Sequence, residues 1–214
     1  MVTHPRTIRG GRILLRPLTI DDWPQWHEVR VRCRDWLEPW EPLPDLAGPD
    51  PSDDRDAFKH RCAAWERQRQ YDSAYGFGIF DAVQESLLGE VSLGTVQRGP
   101  FQNAFIGYWI DHAMAGRALV PEAVVLTMRY AFEDLRLHRV EAAIVPRNEP
   151  SRRVAEKIGF RNEGVSTRFL QIRGLWEDHV RYAFTMDDWF ERRDVLLTRW
   201  IGSVTGVGHE RRTR

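Results

Sequence analysis

The sequence predicts an α/β domain, and three features predict it. The strand-like runs AYGFGIF, LLGEVSLGTV and AFIGYWI follow one another closely, the last two joined by the turn-like RGPFQN. A long apolar pattern at helical spacing comes next, from about Ala118 to Leu135. A buried-type strand, RVEAAIV, then leads into a short helix and a closing pair of strands. At 214 residues the chain suits one domain, expected over residues 11–200, with residues 1–10 and 201–214 as flexible tails.

Each element has its own signal. Ile13-Leu-Leu-Arg-Pro-Leu reads as a first strand ending near Pro17. DDWPQWHEVR then supplies Asp21 or Asp22 as a helix cap and Pro24 in the first turn. WLEPWEPLPDLAGPDPSDD is dense in Pro, Trp and acid. Its prolines predict a long irregular loop carrying Glu38, Glu41, Asp45, Asp50, Asp53 and Asp54. A second helix is expected over about Arg55 to Gln70, ahead of the three strand-like runs. In the apolar helix, Leu119, Ala123, Leu126 and Tyr130 share one face, and Val124, Met128, Ala131 and Leu135 another. That leaves Glu122, Arg129 and Glu133 as a narrow wet stripe. NEPSRRVAEKIGF is a short helix with Asn148 as cap, Pro150 in its first turn and Gly159 at its end. VSTRFLQI and HVRYAFT form a hairpin around Arg173-Gly174, and DDWFERRDVLLTRW adds a terminal helix.

Composition excludes several classes. Lys+Arg and Asp+Glu are both 31, so the chain lacks the basic balance of a nucleic-acid footprint, and no direct nucleic-acid binding is expected. No run approaches the roughly 18 apolar residues of a membrane span, and no signal-peptide core precedes the first strand. A cytoplasmic protein is expected. Cys33 and Cys62 lack a C-x-x-C partner and read as reduced thiols. His112 and His179 have no metal-ligand spacing, so no metal is expected.

The start of the apolar helix is unusual. It opens on Met114-Ala-Gly-Arg-Ala, with no Ser, Thr, Asp or Asn placed as a cap. A helix N-terminus carries about half a positive charge and unpaired N–H donors. Ala115, Gly116 and Ala118 clear space there and Arg117 adds a cation, so a phosphate group suits this end as its cap. A glycine turn capped by water is the plain alternative.

In this order, GYWID, the Gly116-Arg117-Ala118 turn, LRLHRVEAAIVPRNEPSRRVAEKIGF and GLWEDHVRYAFTMDDW resemble the GNAT superfamily of acyl-CoA-dependent N-acyltransferases. The likeness extends to its ribosomal-protein alanine N-acetyltransferases and spans about residues 11–190. Gly116-Arg117-Ala118 matches half of the family's Gln/Arg-x-x-Gly-x-Gly/Ala loop, while Ala113 departs from its first position. The resemblance implies a GNAT fold: a splayed, mostly antiparallel central sheet flanked by helices. It implies acetyl-CoA as cosubstrate, lying where the strand ending at Trp109-Ile110 splays from the one beginning at Val140. Backbone groups near Ile110 and Asp111 would pair with the pantetheine arm. Amides of Ala115, Gly116, Arg117, Ala118, Leu119 and Val120 would hold the pyrophosphate. Asn148 and Ser151 match the family's N-x-x-S and would face the pantetheine and the thiol. The implied reaction acetylates the N-terminal amine of a protein, a ribosomal protein of N-terminal Ala or Ser type, by a monomer or homodimer. Two alternatives are an acetyltransferase for a small amine (polyamine, amino acid or aminoglycoside) and a non-catalytic acyl-CoA-binding module.

The chemistry asks little of the chain. An α-amino group has a pKa of about 7.7–8, so roughly a tenth is already neutral near pH 7. Glu90, on a strand with Leu88 and Val91, is the expected catalytic base through a water relay. Ser151 is the expected acid toward the leaving thiolate, because Ala155 stands where some relatives carry a tyrosine. Tyr108 lines the cleft or belongs to the core. The acidic, aromatic loop Trp36–Asp54 is expected to attract a cationic acceptor.

Overall fold

The computed structural model describes residues 7–43 and 48–202. The described elements are β1 (Ile8–Arg9), β2 (Ile13–Arg16), α1 (Trp23–Arg32), a short α2 (Arg34–Leu37), α3 (Arg55–Gln70), β3 (Tyr75–Asp81), β4 (Leu87–Gln97) and β5 (Asn103–Ile110). There follow α4 (Leu119–Arg129), β6 (Arg139–Ile144), α5 (Glu149–Ile158), β7 (Arg161–Ile172), β8 (Leu175–Thr185) and α6 (Met186–Trp200). The eight strands form one sheet in the order β1-β2-β3-β4-β5-β6-β8-β7. Neighbours are antiparallel throughout, except β5 and β6, which are parallel.

That exception opens the sheet. β5 and β6 pair only where Asn103–Phe105 face Arg139–Glu141. β5 runs on to Ile110 and β6 to Ile144 paired with their outer neighbours but no longer with each other, so the strands part into a V.

Each face of the sheet carries its own layer. The main core joins β3–β6 to α4, α5 and α6 through residues such as Val91, Leu126, Ala155 and Trp189. On the other face, Trp26 and Phe58 from α1 and α3 pack on Leu14, Phe80 and Leu87. α4 is buried on most sides, with Ala123 through Met128 all buried, as a helix pressed on a sheet requires. Each Val, Leu or Met buried there contributes about 1.5–3 kcal/mol. Its last turn widens into a π turn over Tyr130–Asp134.

Four expectations need correction. The sheet begins inside the expected N-terminal tail: Ile8 pairs with Leu15 and is buried, and Ile201 past α6 is buried too. The expected tails at residues 1–6 and 203–214, and Asp45, lie outside the described residues. Neither Asp21 nor Asp22 caps α1 with its side chain. Asp22 instead takes the amide of Thr19 at 2.7 Å and both arms of Arg16, which fixes the preceding turn. Regular structure also enters the proline-rich stretch, because α2 and a 3-10 turn over Glu38–Trp40 finish before Pro42. Finally, Glu122 is not wet: it is 0% exposed and ion-paired.

Candidate active site

The V between β5 and β6 is lined by main chain. Asp111 donates its N–H to Leu88 O at 2.7 Å, which makes Gly89 and Ile110 a non-hydrogen-bonded pair. The N–H and C=O of Ile110 therefore face away from β4, into the V, and those of Tyr108 do the same two residues earlier. Of the two residues expected to offer backbone there, Ile110 does so and the amide of Asp111 is already spent. The Asp111 carboxylate ties elements together instead. It takes Ala113 N at 3.0 Å, Arg32 Nη2 at 2.6 Å and Cys33 Sγ at 3.3 Å. Burial pushes this carboxyl up, but those donors together hold it below the usual carboxylate range.

The segment before α4 is open. A 3-10 turn spans His112–Met114 and closes with the Ala115 amide on His112 O at 3.1 Å. Ala115 thus has no free donor, contrary to expectation. The amides of Gly116, Arg117, Ala118, Leu119 and Val120 meet no protein acceptor among the described residues. Gly116 sits at φ +77°, where a side chain is strained although space surrounds it. Ala118, the residue before the helix, holds φ 59° and ψ 25° with no side-chain cap. An L-residue there costs about 1–2 kcal/mol, so neighbouring groups must enforce it. Gly116, Arg117 and Ala118 are exposed while Leu119 is buried and anchors the turn.

Across the V, α5 begins conventionally. Asn148 Oδ1 accepts the amide of Ser151 at 3.2 Å, and Arg152 N reaches Asn148 O at 3.1 Å. The cap uses only the side-chain oxygen, which leaves the Asn148 amide nitrogen two further protons to donate. Tyr108 joins this end: its hydroxyl lies 3.0 Å from Ser151 Oγ and 3.1 Å from Ser151 O, to which it donates. Burial pushes the Tyr108 phenol up to about 12. Sequence reasoning left Tyr108 between core and cleft, and the structure gives it both positions. Alternation along β5 was the available signal, since Tyr108 and Trp109 must face opposite layers.

Glu90 lies on the other face. Its Oε1 accepts Trp26 Nε1 and its Oε2 accepts Arg61 Nη2, both at 2.6 Å, so it fastens α1 and α3 to β4. Trp109, its cross-strand neighbour, packs toward the same layer, whereas Tyr108 packs against the α4 layer. Glu90 and Ser151 therefore approach the V from opposite sides of the sheet.

The acidic loop is not an open anion. Arg30 grips both oxygens of Glu41 at 2.6 and 2.7 Å, Arg34 reaches Asp53 at 2.8 Å, and Arg173 reaches Glu38 at 3.3 Å. Asp50 and Asp54 accept the amides of Ser52 and Ala57. Trp36 packs tilted against His112 with ring centroids 4.5 Å apart, and Arg147, paired with Glu177, lies 5.4 Å over Trp40. The tip of the β7–β8 hairpin joins this loop through Arg173 N and Glu41 O at 3.3 Å. His179 is buried, with Nδ1 at 2.9 Å from Glu177 O. Cys33 and Cys62 are free thiols. Among the described residues no helix is long and apolar enough to cross a membrane.

Comparison with known proteins matches this geometry to a family. The family model described as an acetyltransferase (GNAT) domain matches residues 12–161. The probable N-acetyltransferase YjcK of Bacillus subtilis is 38% identical over 181 residues, covering 85% of this chain and 98% of that protein. The ribosomal protein uS5-alanine N-acetyltransferase of Escherichia coli is 33% identical over 156 residues, 73% of this chain and 78% of that one. Among solved structures, Mycobacterium smegmatis RimJ in complex with CoA-disulfide superposes with a TM-score of 0.76 at 30% identity, covering 86% of each chain. With its single parallel pair, its opened V and its uncapped α4, this chain belongs to the GNAT family of N-acetyltransferases.

Proposed function

We propose that the chain transfers the acetyl group of acetyl-CoA to the N-terminal α-amine of a protein, with a ribosomal protein bearing N-terminal Ala or Ser as the acceptor. One observation carries the choice of acceptor: of the described carboxylates in the loop over residues 38–54, Glu38, Glu41 and Asp53 are paired with arginines, and Asp50 and Asp54 are engaged by backbone amides. A polyvalent amine gains by meeting open carboxylates, whereas a peptide amine brings a single charge and needs none. Likeness to the uS5-alanine enzyme over 73% of the chain supports the same acceptor.

In this reading the amides of Gly116 through Val120 receive the diphosphate, with Arg117 beside them as cation. Their lack of protein acceptors is the feature that fits them to an anion. The main chain of Ile110 receives the pantetheine arm, and Asn148 faces it through its amide nitrogen. In the reaction the amine nitrogen bonds to the thioester carbon and the carbon–sulfur bond breaks. Ser151 gives its proton to the departing sulfur and recovers one from solvent, while the Tyr108 hydroxyl 3.0 Å away, its phenol raised to about 12, stays protonated and holds the serine side chain in place. Glu90 receives the amine's proton through water; its carboxylate has about four lone-pair sites, of which Trp26 and Arg61 occupy two.

A thiol-release assay with acetyl-CoA tests this. N-terminal Ala and Ser peptides are expected to react with kcat/KM at least about tenfold above that of polyamines, a difference of about 1.4 kcal/mol. Equal or faster turnover of polyamines would reassign the acceptor, and CoA binding without any turnover would favour the binding-module alternative. In the same assay Glu90→Gln should lower kcat and leave the KM for acetyl-CoA near wild type. An unaltered pH–rate profile in that variant removes Glu90 as base.

A further inference from the structure

We propose that Arg12, held by the buried carboxylate of Glu122, is a positioning residue that aims the amides of Ala118 and Leu119 at the coenzyme; this rests on the coenzyme reading above. Glu122 lies in the first turn of α4 and is 0% exposed. Its Oε1 accepts the amides of Gly11 at 2.8 Å and Arg12 at 2.9 Å, and its Oε2 accepts Arg12 Nε at 2.9 Å. The other two arms of the Arg12 fork run to the loop: Nη1 to Arg117 O at 2.8 Å and Nη2 to Ala118 O at 2.9 Å.

The consequence follows from peptide geometry. No described peptide bond is cis, and in a planar trans peptide the C=O of one residue and the N–H of the next point in opposite directions. Drawing the carbonyls of Arg117 and Ala118 onto Arg12 therefore turns the N–H groups of Ala118 and Leu119 away from Arg12. Those are two of the amides that meet no acceptor among the described residues. The same two bonds enforce the left-handed conformation of Ala118, for which alanine has no preference. A rigid fork suits this task and a flexible ammonium does not.

The brace also explains Gly10-Gly11-Arg12 in the sequence. A Cβ on Gly10 would stand 2.6 Å from Glu122 Oε1, and one on Gly11 2.4 Å from Ile201 O. The β1–β2 turn must come this close for its amides to reach the carboxylate.

Titration calorimetry with CoA on wild type, Arg12→Ala and Arg12→Lys, each checked by thermal melting without ligand, decides the matter. Misaiming two amides that meet an anion should raise the CoA Kd by at least about tenfold in both variants. Lysine keeps the charge and the Glu122 pair but cannot span both carbonyls, so it should fail to rescue. Either folded variant binding CoA within about tenfold of wild type overturns the proposal, as does full rescue by lysine. If Arg12→Ala does not fold, Arg12→Lys decides alone. Wild type failing to bind CoA would refute the coenzyme reading itself, a result distinct from the failure of the brace.

Discussion

α4 and α5 follow the two strands that part to form the V, and their N-termini solve the same problem in opposite ways. α5 satisfies itself: Asn148 caps Ser151, and Tyr108 reaches the same residue from β5. α4 is left unsatisfied, with a strained alanine before it and a succession of amides without protein acceptors among the described residues. An unmet donor costs free energy unless a partner compensates. One end is closed by its own cap, and the other is held open by a brace from the half-exposed Arg12 to the buried Glu122. Ordinary capping rules explain the α5 end, whereas the α4 end has the open donors that an anion site requires.

Substitutions at three positions bear on this contrast. The largest effect is expected at the open end. Gly116→Val places a β-branched residue at φ +77°, where the backbone must move although nothing crowds the side chain. CoA affinity measured by calorimetry should fall about a hundredfold, or about 3 kcal/mol. An unchanged Kd would erase the distinction between the two ends.

An intermediate effect is expected at Tyr108, which supports the closed end. Its phenol is raised from the ordinary value near 10 to about 12, so the folded state keeps a proton that the unfolded state gives up. Stability is therefore full below about pH 10 and falls as pH rises toward 12, by about 1.4 kcal/mol per unit for each proton retained. Tyr75 and Tyr130 are raised as well and add to the same alkaline slope. Tyr108→Phe should reduce the slope of unfolding free energy between pH 10 and 12 by one proton. An identical slope in the variant would show that the Tyr108 proton is not held by the fold.

The smallest effect is expected at Asn148. Removing the cap with Asn148→Ala should cost about 1 kcal/mol, read as a lower midpoint in denaturant. Asn148→Asp keeps an equally good acceptor and should restore that midpoint. If Asn148→Asp also binds CoA like wild type, the Asn148 amide nitrogen has no part in holding the coenzyme, and Asn148 acts only as a cap.

Much of this is legible in the amino-acid sequence. The helix from Arg55 to Gln70 appears with the expected ends, because Asp54 caps it and its surroundings are polar. The hairpin turning at Arg173-Gly174 and the helix from Asn148 to Gly159 carry equally local signals. The exceptions share a cause. Glu122 looked wet because helical periodicity locates a residue on a face but not what presses on that face. A turn more than a hundred residues away covers it. The acidic loop looked like an anion because sequence adjacency shows the carboxylates together and hides the arginines that return to them from α1 and from the β7–β8 turn.

Local chemistry by itself determined where the chain would turn, which runs would bury themselves, and that the helix opening on Ala115-Gly116-Arg117-Ala118 would lack a side-chain cap. Those properties depend on residues a few positions apart, so propensity and periodicity reach them. Only the tertiary structure decided that β5 and β6 part after Phe105, that Glu90 and Ser151 come from opposite faces, and that Arg12 turns the amides before α4 outward. Each of these brings together groups far apart in the chain, and their geometry is set by packing, which no local pattern encodes.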